Sequence, residues 1–189
     1  MLLGGAKFTA AGAYRGMHSS GVAMPLTDTN WVNFAPLKVR VFFWIARHGN
    51  TRTRALLHRH GCLPSPRCPF CNEDEDQLHL FSRCARLTPL FAVGSPAAAV
   101  AGDLEGVCAA LAGALQPHAS LVRNSLVLLL LWIIWKSRNR MVFDDVRMRT
   151  RCMVAMLVDH CELWLHRLPC RASRRSVDAW LLQLRENAL

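Results

Sequence analysis

The sequence predicts a mainly α fold, with a small helical domain in its first half and a C-terminal helical region. Leu, Ala and Arg are abundant, while the alternating Val, Ile and Thr runs that are typical of strands are nearly absent. Apolar residues also recur at helical spacing in several segments. They make up 52% of the chain, with six tryptophans and eight phenylalanines, which is enough for a buried core.

The first predicted helix follows Pro36. The apolar residues Val39, Phe42, Phe43 and Ala46 fall at positions i, i+3, i+4 and i+7, which is one face of a helix. Proline is favoured at a helix start and glycine just past a helix end. We therefore expect this helix to begin at Pro36 and to end at Gly49.

A second, short helix is expected between Thr51, as its cap, and Gly61, with a basic exposed side. Prolines make residues 62–72 a loop. A third helix is expected to begin in the acidic run 73–76, where Asp74 and Gln77 have the spacing of a capping box.

The rest of the chain has longer helical segments. Residues 92–119 are rich in Ala, Gly and Pro, with a helix predicted around 103–115. Further helices are predicted at 120–143, 147–168 and 176–189. The expected apolar stripe of the 147–168 helix consists of Met153, Met156, Leu157, Leu163 and Trp164.

These segments suggest four regions. We expect a partly ordered N-terminal segment at 1–30 and a small helical domain at 31–91. A linker with one helix at 92–119 and C-terminal helices at 120–189 follow.

One stretch, Leu126–Trp135, is apolar on every side. It is shorter than the roughly 20 residues that a membrane span needs, and Arg123 and Lys136 flank it. We therefore predict a buried core helix and no membrane association. If the chain itself cannot cover this helix, a protein partner is expected to do so.

The formal charge of +10 is unevenly distributed. Residues 1–67 carry nine Lys or Arg and one acidic residue, and residues 123–151 carry seven basic and two acidic residues. Such a bias favours polyanionic partners such as RNA or single-stranded DNA. The same excess of basic residues also arises from an arginine-rich composition in a protein that has no polyanionic partner.

The chain has eight cysteines, four of them between positions 62 and 84. No basic and apolar leader is visible at the start of the chain, so we expect an intracellular, reducing compartment rather than a secreted disulfide framework. Within that cluster, Cys68-Pro-Phe-Cys71 is followed by His79 and Cys84. Three thiolates and one imidazole are a ligand set of structural zinc sites.

Two other interpretations of the four residues stay open from spacing alone. They could be ordinary core cysteines and a surface histidine, or a redox-active Cys-x-x-Cys pair, although the latter lacks its usual βαβ context. The spacing also sets a geometric condition. His79 and Cys84 are five residues apart, so they lie about 140° apart on an ideal α-helix. We expect the third helix to loosen or to end near Cys84, with Cys84 in its last turn and the end near Arg86.

Several blocks together resemble the zinc-binding domain downstream of the reverse transcriptase in plant LINE-type retrotransposons. In the family's order, they are Lys7–Arg15, Trp31 with Pro36–Trp44, Thr51–Leu57, the Cys68/Cys71/His79/Cys84 motif, and Trp132–Arg140 with Phe143. The resemblance implies bound Zn²⁺, an origin in a retroelement polyprotein and a role in holding nucleic acid. It implies no polymerase, because Tyr14 is the only tyrosine and no Tyr-x-Asp-Asp motif follows it.

The functional prediction is a non-catalytic zinc-binding module with nucleic-acid contacts close to the metal site. Those contacts are expected from Arg52, Arg54, Arg59, Arg67 and Phe70. The alternative is a structural or protein-interaction fragment that binds no nucleic acid, such as a decayed retroelement remnant. No nucleophile elbow, phosphate loop or catalytic carboxylate pair was found in the sequence.

Overall fold

The computed structural model describes residues 33–116, 118–168 and 171–187. The predicted mainly α fold is confirmed, since helices dominate these residues and none of them lies in a named strand. The predictions for residues 1–32, including the N-terminal segment 1–30 and the Lys7–Arg15 and Trp31 blocks, lie outside them. Cys170 and the last two residues of the chain do so too.

Seven α-helices are described, separated in the first half by shorter helical turns. They are α1 (Leu37–Arg47), α2 (Arg54–Arg59), α3 (Thr88–Gly94), α4 (Leu104–Ala114), α5 (Ser120–Asp144), α6 (Thr150–Leu165) and α7 (Arg171–Asn187). Between α2 and α3 lie a π-helix (His79–Arg83) and a 3₁₀ turn (Ala85–Leu87), and a second 3₁₀ turn (Pro96–Val100) precedes α4.

Helix α1 matches its predicted face and limits. Val39, Phe42, Phe43 and Ala46 are its buried residues, and Pro36 is its N-cap. Gly49, just past its end, has a φ of 68°, a conformation that glycine adopts without the Cβ clash of other residues.

Two predicted caps are wrong. The side chain of Thr53, not Thr51, accepts the capping hydrogen bond of α2, from the Leu56 amide. Thr51 instead donates its hydroxyl to Gln77 Oε1 at 3.0 Å. In the acidic run, Asp76 rather than Asp74 caps the next helical segment, accepting from the His79 amide at 2.6 Å.

Segment 92–119 is built into the core. Asp103 caps α4 through the Gly106 amide, and Leu104, Val107 and Leu111 are buried with the residues of the flanking regions. Arg47 of α1 also forms a 2.6 Å ion pair with Glu105.

Helix α5 lies at the centre of the described structure, in contact with α1, α4, α6 and the π-helix. Its residues Leu126–Leu129 are buried on four consecutive positions, so this chain covers every side of that turn. By length and composition α5 is the one described helix that could cross a membrane, and 56% of its most apolar stretch is buried.

An aromatic cluster joins α5 to the first half of the chain. Phe42 lies with its ring centroid 5.3 Å from Trp132 and 5.1 Å from Trp135, and 6.1 Å from Phe81 of the π-helix. Among the described residues, the Pro36–Trp44 and Trp132–Arg140 blocks therefore contact each other, and Phe42 also contacts Phe81 next to the cysteine motif.

Helices α6 and α7 complete the fold. Met153, Leu157 and Trp164 of the predicted α6 stripe are buried and Met156 is half-buried, but Leu163 is 68% exposed, so its assignment to the stripe is wrong. Helix α7 is held to the α4–α5 connection by a 2.7 Å hydrogen bond between the Ser176 hydroxyl and His118 Nδ1.

Candidate metal centre

The Cys68-Pro-Phe-Cys71 segment forms a tight turn. The Cys68 amide donates to the Glu73 carbonyl at 2.7 Å, and the Asn72 amide donates to the Cys68 carbonyl at 3.0 Å. Asn72 has a φ of 63°, in the left-handed region that asparagine tolerates better than most residues. This turn brings the two cysteine side chains to one side of the loop.

The π-helix brings His79 and Cys84, which would point in different directions on an ideal α-helix, to the same side of the chain. The Cys84 amide donates to the His79 carbonyl at 3.0 Å, an i→i+5 bond that widens the turn beyond that of an α-helix. The predicted loosening is therefore present, but the helical segment ends at Arg83, before the expected Arg86. Cys84 is the extended residue that follows it rather than part of its last turn.

The four predicted ligands converge. One donor atom from each of Cys68, Cys71, His79 and Cys84 lies within 4.8 Å of every other. The Cys84 sulfur is 3.8 Å from the Cys68 sulfur and 3.9 Å from the Cys71 sulfur, and Cys71 Sγ is 3.3 Å from His79 Nε2. Tetrahedral zinc with 2.3 Å Zn–S bonds places its sulfurs about 3.8 Å apart, so donor set and spacing fit such an ion.

Protons are unequally held within this cluster. The hydrogen bond between Cys68 and Cys84, together with burial, raises the pKa of Cys68 to about 12. The same hydrogen bond lowers the pKa of Cys84. Cys84 is therefore the first of the two thiols to lose its proton. Metal binding to the thiolates must release the remaining protons, so metal affinity depends on pH.

The loop between Cys71 and His79 is anchored by a buried carboxylate, that of Glu75. It accepts hydrogen bonds from the Arg54 amide at 2.9 Å and from Arg138 Nε of α5 at 3.0 and 3.1 Å. The side chains of Glu75 and Arg138 are each 1% exposed. This ion pair is not among the contacts predicted from the sequence. The available signal was that Arg138 follows the buried Ile134 by one helical turn and Leu131 by two, on the core face of α5.

Arg86 makes a second connection between the cysteine region and α5. Its guanidinium donates to the Ser137 hydroxyl at 2.6 Å and to the Ile134 carbonyl at 3.1 Å. It also lies over the Phe70 ring, 4.6 Å from the centroid. Arg147, just beyond α5, is 5.9 Å from the same ring.

The predicted nucleic-acid residues differ in accessibility. Arg52 and Arg59 are exposed. Arg67 is exposed but forms a 3.4 Å ion pair with Asp74. Arg54 is half-buried, and so is Phe70, whose ring packs against Arg86.

The geometry defines a class of protein, a small helical domain with a potential Cys₃His metal site whose loop is braced by a long C-terminal helix. Residues 8–89, somewhat less than half of the chain, match the family model described as zinc-binding in reverse transcriptase. All four candidate ligands lie in the matched segment, whereas Arg138 lies beyond it. Comparisons with curated proteins and with solved structures gave no match.

Proposed function

We propose that the chain is a structural zinc-binding module in which Cys68, Cys71, His79 and Cys84 hold one Zn²⁺. The observation that carries this proposal is the convergence of four zinc-type donors within 4.8 Å, inside a segment that matches a zinc-binding family. A bound ion would tie the proline-rich loop to the π-helix.

The proposed site is not catalytic. Four protein ligands fill a tetrahedral zinc ion, so no coordination position stays open to activate water. The resemblance supports an origin in a retroelement polyprotein of the plant LINE type.

Metal analysis of the purified protein tests the zinc proposal. One equivalent of zinc is expected in the wild type and in Cys152→Ser, whose exposed thiol lies on α6 and is not part of the cluster. Cys71→Ser and His79→Ala should each lose the metal, since a structural site needs its full ligand set. Zinc retained at full stoichiometry in both ligand variants would refute the assignment.

We further propose that this module binds single-stranded RNA or DNA through exposed arginines. Support comes from the net charge of +10, from Arg52 two residues before α2 and from Arg59 at its end, both of which are exposed. Phe70 supports stacking on bases less well, because its ring already packs against the Arg86 guanidinium.

Filter binding to single-stranded RNA across a salt series tests this second proposal. Binding is expected to weaken with rising salt, with a slope of about −0.7 per neutralised phosphate. Arg52→Gln with Arg59→Gln should lower the affinity and reduce that slope. Glu73→Gln, a substitution of an exposed acidic residue, should not weaken binding. Absence of binding at low salt would leave the structural role alone.

A structural or protein-interaction module is the second candidate. The proposed partner surface at Leu126–Trp135 is less favoured, since the chain itself buries most of that stretch. An apolar stripe on α1 favours an interaction instead, with Leu37, Val41 and Trp44 exposed by 61%, 46% and 43% at helical spacing. Light scattering over a concentration series would detect self-association, and a monomer at all concentrations would argue against an obligate homomeric contact.

A further inference from the structure

The Glu75 anchor holds the metal loop at several points at once. Its amide donates to the Pro66 carbonyl at 2.9 Å and its carbonyl accepts from the Ala55 amide at 3.1 Å. Its carboxylate accepts from the Arg54 amide. Glu75 therefore fixes the approach to Cys68, the start of α2 and the path toward His79.

This anchor depends on a charge that comes from another part of the fold. The Arg138 guanidinium of α5 binds both Glu75 oxygens and also reaches the Asn139 side chain at 3.0 Å. A buried carboxylate that loses its cationic partner must take up a proton or move toward water. Either response would shift the backbone between Cys71 and His79.

The second half of the site is tied to the same helix. Cys84 is two residues from Arg86, whose guanidinium is held by Ser137 and by the Ile134 carbonyl. The loop before His79, through Glu75, and the segment after Cys84, through Arg86, are thus both hydrogen-bonded to one stretch of α5, Ile134–Arg138.

We propose that Arg138 is a positioning residue of the metal centre, which acts through Glu75 to set the geometry of the four ligands. This inference rests on the proposed zinc binding. The metal-binding unit then extends from the matched segment 8–89 into α5. Zinc affinity becomes a property of the packed chain rather than of the cysteine loop alone.

Zinc affinity of the full chain, measured by competition with a chelator, tests the proposal. Arg138→Met should bind zinc about 10- to 100-fold more weakly than the wild type, as is common when the support of metal ligands is lost. Arg138→Lys keeps the charge but not the two-oxygen geometry, so its affinity should fall in between. Arg140→Met, on the same helix but exposed, is the matched control and should bind like the wild type.

The absorption spectrum of the cobalt-loaded protein separates positioning from general destabilisation. A distorted ligand set should change the Co²⁺ bands of Arg138→Met at saturating metal, while circular dichroism reports the retained helix content. If Arg138→Met does not fold, the same two measurements on Arg138→Lys and on Glu75→Gln decide the question.

Wild-type affinity and an unchanged cobalt spectrum in folded Arg138 variants would overturn the positioning role and leave zinc binding intact. A wild type that takes up neither zinc nor cobalt would instead overturn the proposed function itself.

Discussion

The cysteine region, 62–84, and the C-terminal helices α5 and α6 reach the folded state by different means. The cysteine region has few buried apolar side chains and relies on a tight turn, a π-helix and a buried ion pair. Helices α5 and α6 bury Leu, Ile, Val and Met side chains along most of their contact. One part of the chain therefore depends on specific polar groups and candidate metal ligands, while the other depends on buried apolar area.

The largest effect should come from metal removal. Chelation should expose Cys68, Cys71 and Cys84 to an alkylating reagent, because a structural zinc ion contributes directly to the folding of its site. Cys108 and Cys161 should stay unmodified, since burial raises the pKa of each thiol to about 12. Mass spectrometry before and after chelation measures this difference.

Cys62 and Cys152 are the internal controls, because both are exposed and should react in either state. Equal protection of the three ligand cysteines with and without chelator would remove the distinction between the two regions.

A smaller effect is expected from a cavity in α5. Leu128 is fully buried, so Leu128→Ala should lower the free energy of unfolding by about 2–5 kcal/mol. Leu163→Ala, at a position that is 68% exposed, should change it by no more than about 0.5 kcal/mol. Urea unfolding of the zinc-loaded protein gives both values, and similar losses for the two variants would contradict the observed burial.

The smallest effect concerns His118, which links the α4–α5 connection to α7. Burial, together with the nearby Arg123 charge, lowers the pKa of His118 below its usual 6.5. The unfolded chain therefore takes up a proton at a higher pH than the folded chain. Stability should fall as the pH drops through 6.5 toward the lower folded-state pKa, and then level off.

His118→Gln should remove this part of the pH dependence, while His166→Gln, at an exposed position, should leave it in place. Unfolding free energies compared between pH 7.5 and pH 5 provide the measurement. An unchanged slope in His118→Gln would show that another group is responsible.

The sequence was sufficient where the pattern is local. The apolar face of α1 follows from residue spacing with Pro36 and Gly49 at its ends, and helices were predicted close to the observed bounds of α4 and α5. The looser turn between His79 and Cys84 follows from their five-residue separation. The wrong caps also have a local cause. Thr51 and Thr53, or Asp74 and Asp76, are equivalent in type, and only the tertiary contact of Thr51 with Gln77 separates the first two.

Contacts between distant positions were not predictable in the same way. Spacing can place Arg138 on the same face of α5 as Ile134 and Leu131, but the sequence does not identify Glu75 as its partner, because that contact depends on how α5 packs against the cysteine region. The packing of Arg86 on Phe70 likewise needs the 3₁₀ turn that places them together. The convergence of the four donors was expected and is observed, whereas the ion that they bind stays a prediction.

The ion pair has a consequence for how the protein is made. Glu75 and Arg138 are 63 positions apart, so at roughly 5–20 residues per second the ribosome adds Arg138 about 3–13 s after Glu75. For most of that interval, once Cys84 has been added, the nascent chain contains every candidate ligand but not the Arg138 cation that braces their loop. Zinc bound at this stage would have a lower affinity than in the finished protein, and the affinity would rise only when α5 docks and Arg138 pairs with Glu75.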